Sequence, residues 1–171
     1  MKSPAKLSRI ILGSVFAMAF VYANGNPHNT QETHMHQIAT GPFDVKLNPL
    51  EAYNKDEGAL LGRMSLDKQF HGDLDATSKG EMLSTGVPGP KGSGAYVAIE
   101  RVTGTLHGKR GSFALVHNAT MTQGVPYLNI VVAPGSGTGE LAGLSGQMKI
   151  DIAPGGKHSY TFEYALAQAA Q

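Results

Sequence analysis

The stretch PGSGTGELAGLSGQMKIDI, Pro134 to Ile152, leads after a short loop into HSYTFEYAL, His158 to Leu166, and its reading decides the fold. A glycine-dense corner feeding two alternating strands predicts a small β-barrel closing on itself rather than a phosphate-cradling loop. Phosphate loops pass from a strand into a helix and carry Gly-Lys-Ser/Thr or a fixed glycine trio. Here the glycines stand between two strands and no helical pattern follows. Gly135, Gly137, Gly139, Gly143 and Gly146 therefore read as backbone bends and points of close strand approach.

Outward from this corner, short alternating segments recur with turn signals between them, the pattern of a barrel or sandwich. The expected strands are Thr40 to Asn48, Ala59 to Phe70, Gly72 to Thr85, Ala95 to Leu106, Gly111 to Met121, Tyr127 to Ala133, Leu141 to Ile152 and His158 to Leu166. They predict an all-β, closed eight-stranded antiparallel barrel, whose interior is filled by side chains or holds one small ligand. One helical turn is expected within Asn48 to Gly58, and Val87 to Ser93, with its prolines and glycines, reads as a mobile rim or lid.

Alternation assigns the faces, because successive strand residues point to opposite sides. His158, Tyr160, Phe162, Tyr164 and Leu166 share the inner face, as do Leu144, Met148, Ile150 and Ile152. On the third strand Leu74, Ala76, Ser78, Gly80 and Met82 face inward, a wall small enough to leave room for a cavity. Phe113 and Leu115 carry His117 inward, and Leu60, Met64 and Leu66 carry Lys68. The fourth strand is ambiguous; the face with Tyr96 is taken as inner, which brings Glu100 inside.

A two-residue turn at Gly108 and Lys109 sets Glu100 directly opposite His117, with Cβ atoms about 5 Å apart. The pair Glu100 and His117 is the candidate catalytic site, since a carboxylate and an imidazole in a shared interior suit general acid and base work. A structural polar pair that fixes the register has equal claim on them. Lys68, Met82, Tyr96, Tyr160 and Tyr164 are the candidate ligand-binding residues, the tyrosine hydroxyls orienting an apolar ligand with one polar group. Lys68, near a strand end, is expected to extend its ammonium to the rim. Ser136 and Ser145 lack the frame of a nucleophile elbow, no H-E-x-x-H is present, and no cofactor or metal is expected within the barrel.

The segments GAYVAIERVTGTLHGKRGSFALVHN, VVAPGSGTGELAGLSGQMKI and HSYTFEY, between Gly94 and Leu166, resemble the bacterial domain of unknown function 3224 family, and more distantly the closing segment of allene oxide cyclase-like barrels. The resemblance extends from about Phe43 onward. It implies a barrel and no known reaction. In the plant cyclases it implies a pocket for an unsaturated fatty-acid epoxide with a glutamate and a tyrosine at work; the pocket carries over here, but no residue of that reaction is matched.

The N-terminus reads as a secretory signal over residues 1–23: Lys2, Lys6 and Arg9, then the apolar Ile10 to Phe20, then a small-residue cleavage site at Val21-Tyr22-Ala23. About a dozen apolar residues are too few for a bilayer core, so no stable membrane anchor is expected. The protein is expected to be periplasmic or secreted, and with zero cysteines it has no disulfide framework. Residues 24–38 read as a disordered linker whose His28, His34 and His36 are a weak candidate for metal, and 39–171 as the barrel domain. Three of the 14 basic residues lie in the signal, leaving 11 against 13 acidic and a net charge of −2, which argues against nucleic acid as partner.

Three functions fit these readings. The barrel binds a small apolar molecule; or the interior pair serves an isomerase or cyclase; or the outer face, with Val97, Ile99 and Val131, forms an interface. Apolar residues on both faces of the fourth strand favour a homo-oligomer.

Overall fold

The structure is a computed structural model and describes residues 36–58, 61–87 and 91–167. The expected signal and most of the linker, with His28 and His34, lie outside these residues, as do 59–60 and 88–90; His36 is described and exposed. The strands are β1 (Gln37–Leu50), β2 (Leu61–Phe70), β3 (Leu74–Val87), β4 (Ser93–Leu106), β5 (Lys109–Thr122), β6 (Val125–Val132), a two-residue β7 (Thr138–Gly139), β8 (Leu144–Ile152) and β9 (His158–Leu166). All pair antiparallel. Eight of them form the ring β1-β2-β3-β4-β5-β6-β8-β9, closed by β9 on β1, with β7 paired to the start of β5 on the same edge as β6.

The barrel is therefore as expected, with local differences. β1 begins at Gln37, because the Tyr164 hydroxyl donates to Gln37 Oε1 at 2.6 Å and β9 pairs from that residue on. Its far end runs through Asn48 to Leu50 on the edge of β2, and no helical turn forms within 51–58. The glycine corner folds into turns and the stub β7, so Leu141 precedes β8 rather than starting it.

The turn between β4 and β5 corrects the expected register. His107 (φ 45°) and Gly108 (φ 80°) are its two central residues, both left-handed as a type I′ hairpin requires. Leu106 thus faces Lys109, and Glu100 faces Leu115 while His117 faces Ala98. The shift moves each partner by two residues, so the face assignment survives and Glu100 and His117 become diagonal neighbours.

Burial along the inner face runs in one direction. On β3 it passes from buried Leu74, Ala76 and Ser78 to half-buried Gly80, Met82 and Ser84; on β1 it passes from Ala39 and Phe43 to exposed Leu47. One end is thus sealed by Phe70, Leu74, Leu106, Phe113, Leu141 and Phe162, and the other is a mouth. Ile152, expected inside, has the inward parity but ends its strand at the mouth and is exposed.

Candidate functional site

At mid-height, where the packed end gives way to the mouth, the inner faces of β2, β3, β4 and β5 deliver Lys68, Ser78, Glu100 and His117. All four are buried, and Glu100 is fully so. Register explains the meeting. Lys68 faces Ser78 across β2 and β3, Glu100 faces Gly80 across β3 and β4, and His117 stands one diagonal step from Glu100. Gly80 is needed here: a Cβ on it would lie 2.3 Å from the Ile99 carbonyl oxygen and 2.7 Å from Glu100 Cβ.

Glu100 Oε1 accepts from Lys68 Nζ at 2.6 Å and from His117 Nε2 at 2.8 Å, and Oε2 accepts from the Ser78 hydroxyl. Burial alone would raise the Glu100 pKa. The His117 hydrogen bond, the charge and hydrogen bond of Lys68, and the Ser78 hydroxyl outweigh burial and hold the carboxyl at about 2. The Lys68 ammonium also lies over the rings of Phe43 and Phe70, 5.3 and 5.5 Å from their centroids. Lys68 does not reach for the rim, as expected from sequence, because this desolvated carboxylate compensates its charge more fully than a partial view of water would.

Tyr96 lies above the cluster on the same inner face. Burial, and then the charge on Glu100, raise its phenol pKa, so the hydroxyl keeps its proton at neutral pH. Met82, half-buried, faces Ala98 beside it. Tyr96 lines a cavity of about 310 Å³ in the mouth, together with Ser84, Ala119, Met121, Pro126 and Leu128. A more open groove of about 630 Å³ adjoins it through Ser84, Gly94 and Met121.

The structure brings Lys68, Glu100 and His117 together and sets Tyr96 and Met82 above them. Tyr160 and Tyr164 it sends elsewhere. The Tyr160 hydroxyl donates toward Thr40 O and His71 O (3.1 and 3.0 Å) and accepts from Leu74 N at 2.8 Å. The Tyr164 hydroxyl lies 2.7 Å from His107 Nδ1 and donates to Gln37. Burial is the main cause raising both phenol pKa values, and both hydroxyls lock strand ends far from the mouth. Ser78, which sequence placed on the inner face without a role, completes the cluster; its signal was a lone hydroxyl sharing a face with Lys68 and Glu100. No group of three or more metal-ligating side chains occurs among the described residues.

Comparison with known proteins gives the barrel its relatives. The crystal structure of a protein with unknown function from the DUF3224 family of Shewanella oneidensis MR-1 is similar to this chain at 49% identity, covering 79% of this chain and 100% of that one with a TM-score of 0.73. No curated protein matches the chain. The family described as "Protein of unknown function (DUF3224)" matches residues 39–164, which take in all but the first two and last two residues of the barrel's strands. With a family match over most of its length and a relative of the same fold at that identity, the chain belongs to the DUF3224 family.

Proposed function

We propose that this barrel binds a small, mainly apolar molecule in its mouth, with the molecule's polar end directed down toward Tyr96 and the Lys68–Glu100–His117 cluster. The observation that carries this reading is the cavity of about 310 Å³ lined by Tyr96 and Ala119, which stand next along β4 and β5 to the buried Glu100–His117 pair. Apolar walls with a few convergent polar groups are what small-ligand sites are made of. Leu61, Val87, Met121 and Val125 stand exposed around the mouth, an apolar approach to such a site. The N-terminal pattern of residues 1–23 supports placing this binding in the periplasm or outside the cell.

Proton-transfer chemistry of the isomerase or cyclase kind draws less support. A carboxyl held at about 2 is a poor proton acceptor near neutral pH, so Glu100 serves as an orienting group rather than a base.

A second reading rests on a different face. Leu83, Val97 and Ile99 are 56, 52 and 62% exposed on the outside of β3 and β4, and the register continues their stripe through Val116 to Val131. We propose that a second copy of the chain covers it, giving a homo-oligomer.

Binding is tested by titrating naphthalene, followed by its fluorescence, into the purified chain and into Ala119→Leu, which fills the cavity beside Tyr96. Saturable binding lost in the variant supports the reading; no saturable binding to the unaltered chain of naphthalene or of its analogues carrying a polar group overturns it.

A further inference from the structure

Glu100 dictates which nitrogen of His117 carries the proton. An ionised carboxylate only accepts hydrogen bonds, so the contact at 2.8 Å requires Nε2 to be the donor. In the neutral ring Nδ1 is then an acceptor with a free lone pair. No hydrogen bond from a described residue reaches Nδ1. No side-chain nitrogen or oxygen among the described residues is both sealed from solvent and unpaired, and the His117 side chain keeps 3% of its surface exposed, on the side where β4 and β5 lead to the mouth cavity. The same reasoning holds for the Tyr96 hydroxyl, which lines the mouth cavity and has no partner among the described residues.

The two groups are neighbours. On the inner face Tyr96 stands opposite Ala119 on β5 and Ser84 on β3, and His117 opposite Ala98 on β4 and Ile130 on β6, so Tyr96 and His117 lie one diagonal step apart. One is an acceptor and the other a hydroxyl that can donate. Beneath them, Lys68 and Glu100 neutralise each other at 2.6 Å, leaving no surplus charge to hold an ion in a desolvated place.

We infer that the site takes a neutral, hydroxyl-bearing apolar compound, an alcohol or phenol, whose hydroxyl donates to His117 Nδ1 and accepts from Tyr96. This rests on the reading of the mouth as a ligand site and names the chemistry of its polar end. A hydrocarbon leaves the acceptor and the donor unanswered, and an apolar carboxylate brings a second anion beside Glu100 with no proton for Nδ1.

The test compares three probes of one shape, naphthalene, 2-naphthol and 2-naphthoate, by titration at neutral pH. The expected order is 2-naphthol at least tenfold tighter than naphthalene, and 2-naphthoate weakest. Tyr96→Phe and His117→Gln, the latter keeping a donor for Glu100, each bring the ratio of 2-naphthol to naphthalene affinity, measured within the same variant, close to one. Circular dichroism confirms that both variants fold, and Tyr96→Phe alone suffices should His117→Gln not. Naphthalene and 2-naphthol binding equally well overturns the inference and leaves the binding reading standing; none of the three binding overturns both. Nitrogen-15 NMR of the unliganded chain gives an independent check, since a proton on Nδ1 of neutral His117 in place of Nε2 also overturns the inference.

Discussion

Gly80 lies opposite Glu100 in the register of β3 and β4, so close that a Cβ on the glycine would stand 2.6 Å from Glu100 Cα and 2.7 Å from its Cβ. The backbone oxygen of Ile99 is nearer still, at 2.3 Å. Gly80→Ala therefore forces the two strands apart at the level of the ionic cluster. The expected destabilisation is about 1–3 kcal/mol, read from urea denaturation. A stability within error of the unaltered chain would show that the strands part freely.

The cluster answers differently to single and double replacement. Lys68→Met leaves Glu100 buried with its main countercharge gone, and Glu100→Gln leaves Lys68 over two rings with no anion; each is expected to lose about 3–5 kcal/mol. Lys68→Met combined with Glu100→Gln removes both charges and is expected to lose less than the sum of the two. A double-mutant cycle by chemical denaturation reads the coupling directly. Additive losses would mean that the two residues do not sense one another.

Acid should weaken the fold through Glu100. Its carboxyl is held at about 2 in the fold against an ordinary value of 4.5. The unfolded chain therefore takes up the proton first, and the stabilisation present above about pH 4.5 is lost as pH falls toward 2. The full difference is on the order of 3 kcal/mol. Denaturation midpoints from pH 6 down to pH 2 should fall in the unaltered chain and fall less in Glu100→Gln; parallel curves would contradict the assignment.

Tyr160→Phe separates the packed end from the mouth. Losing the hydroxyl leaves Leu74 N without its acceptor at 2.8 Å and two carbonyls without their donor, an expected loss of about 1–3 kcal/mol. Naphthalene affinity should stay unchanged, because the hydroxyl points away from the mouth. A fall in affinity with unchanged stability would reverse this assignment.

Self-association through the outer stripe is checked by analytical ultracentrifugation. Ile99→Lys, which places a charge at the middle of the apolar face, is expected to reduce the assembly to single chains with little change in melting temperature. An unaltered chain that sediments as a monomer at its highest soluble concentration removes the second-copy reading.

The barrel was legible in the sequence because period-two alternation survives errors of detail. The turn at His107 and Gly108 was read one residue late, yet the displaced register kept the same inner set, since moving a hairpin turn by one residue shifts each partner by two. Glu100 and His117 were therefore found in contact by an argument whose pairing was off. What alternation does not carry is depth along the strand. It placed Tyr160 and Tyr164 inside without telling the packed end from the mouth, and it read Lys68 as near a rim when three strands bring a carboxylate to it. Depth depends on strand stagger, and stagger is set by which residues close the ring, Gln37 with Tyr164 and Phe43 with His158.

The ring has one weak stave. Around it, neighbouring strands share between seven and fourteen residue pairs, but β6 and β8 meet only at Ile130 with Met148 and Val131 with Gln147. Among the described residues the first half of β6, from Val125 to Leu128, pairs on its β5 side alone, and it stands exposed beside the mouth cavity that Pro126 and Leu128 help to line. Ladders held from one side open at lower free energy than the sheet they belong to. Amide exchange should begin there, and the barrel should part along this seam, like a cuff, before it parts anywhere else.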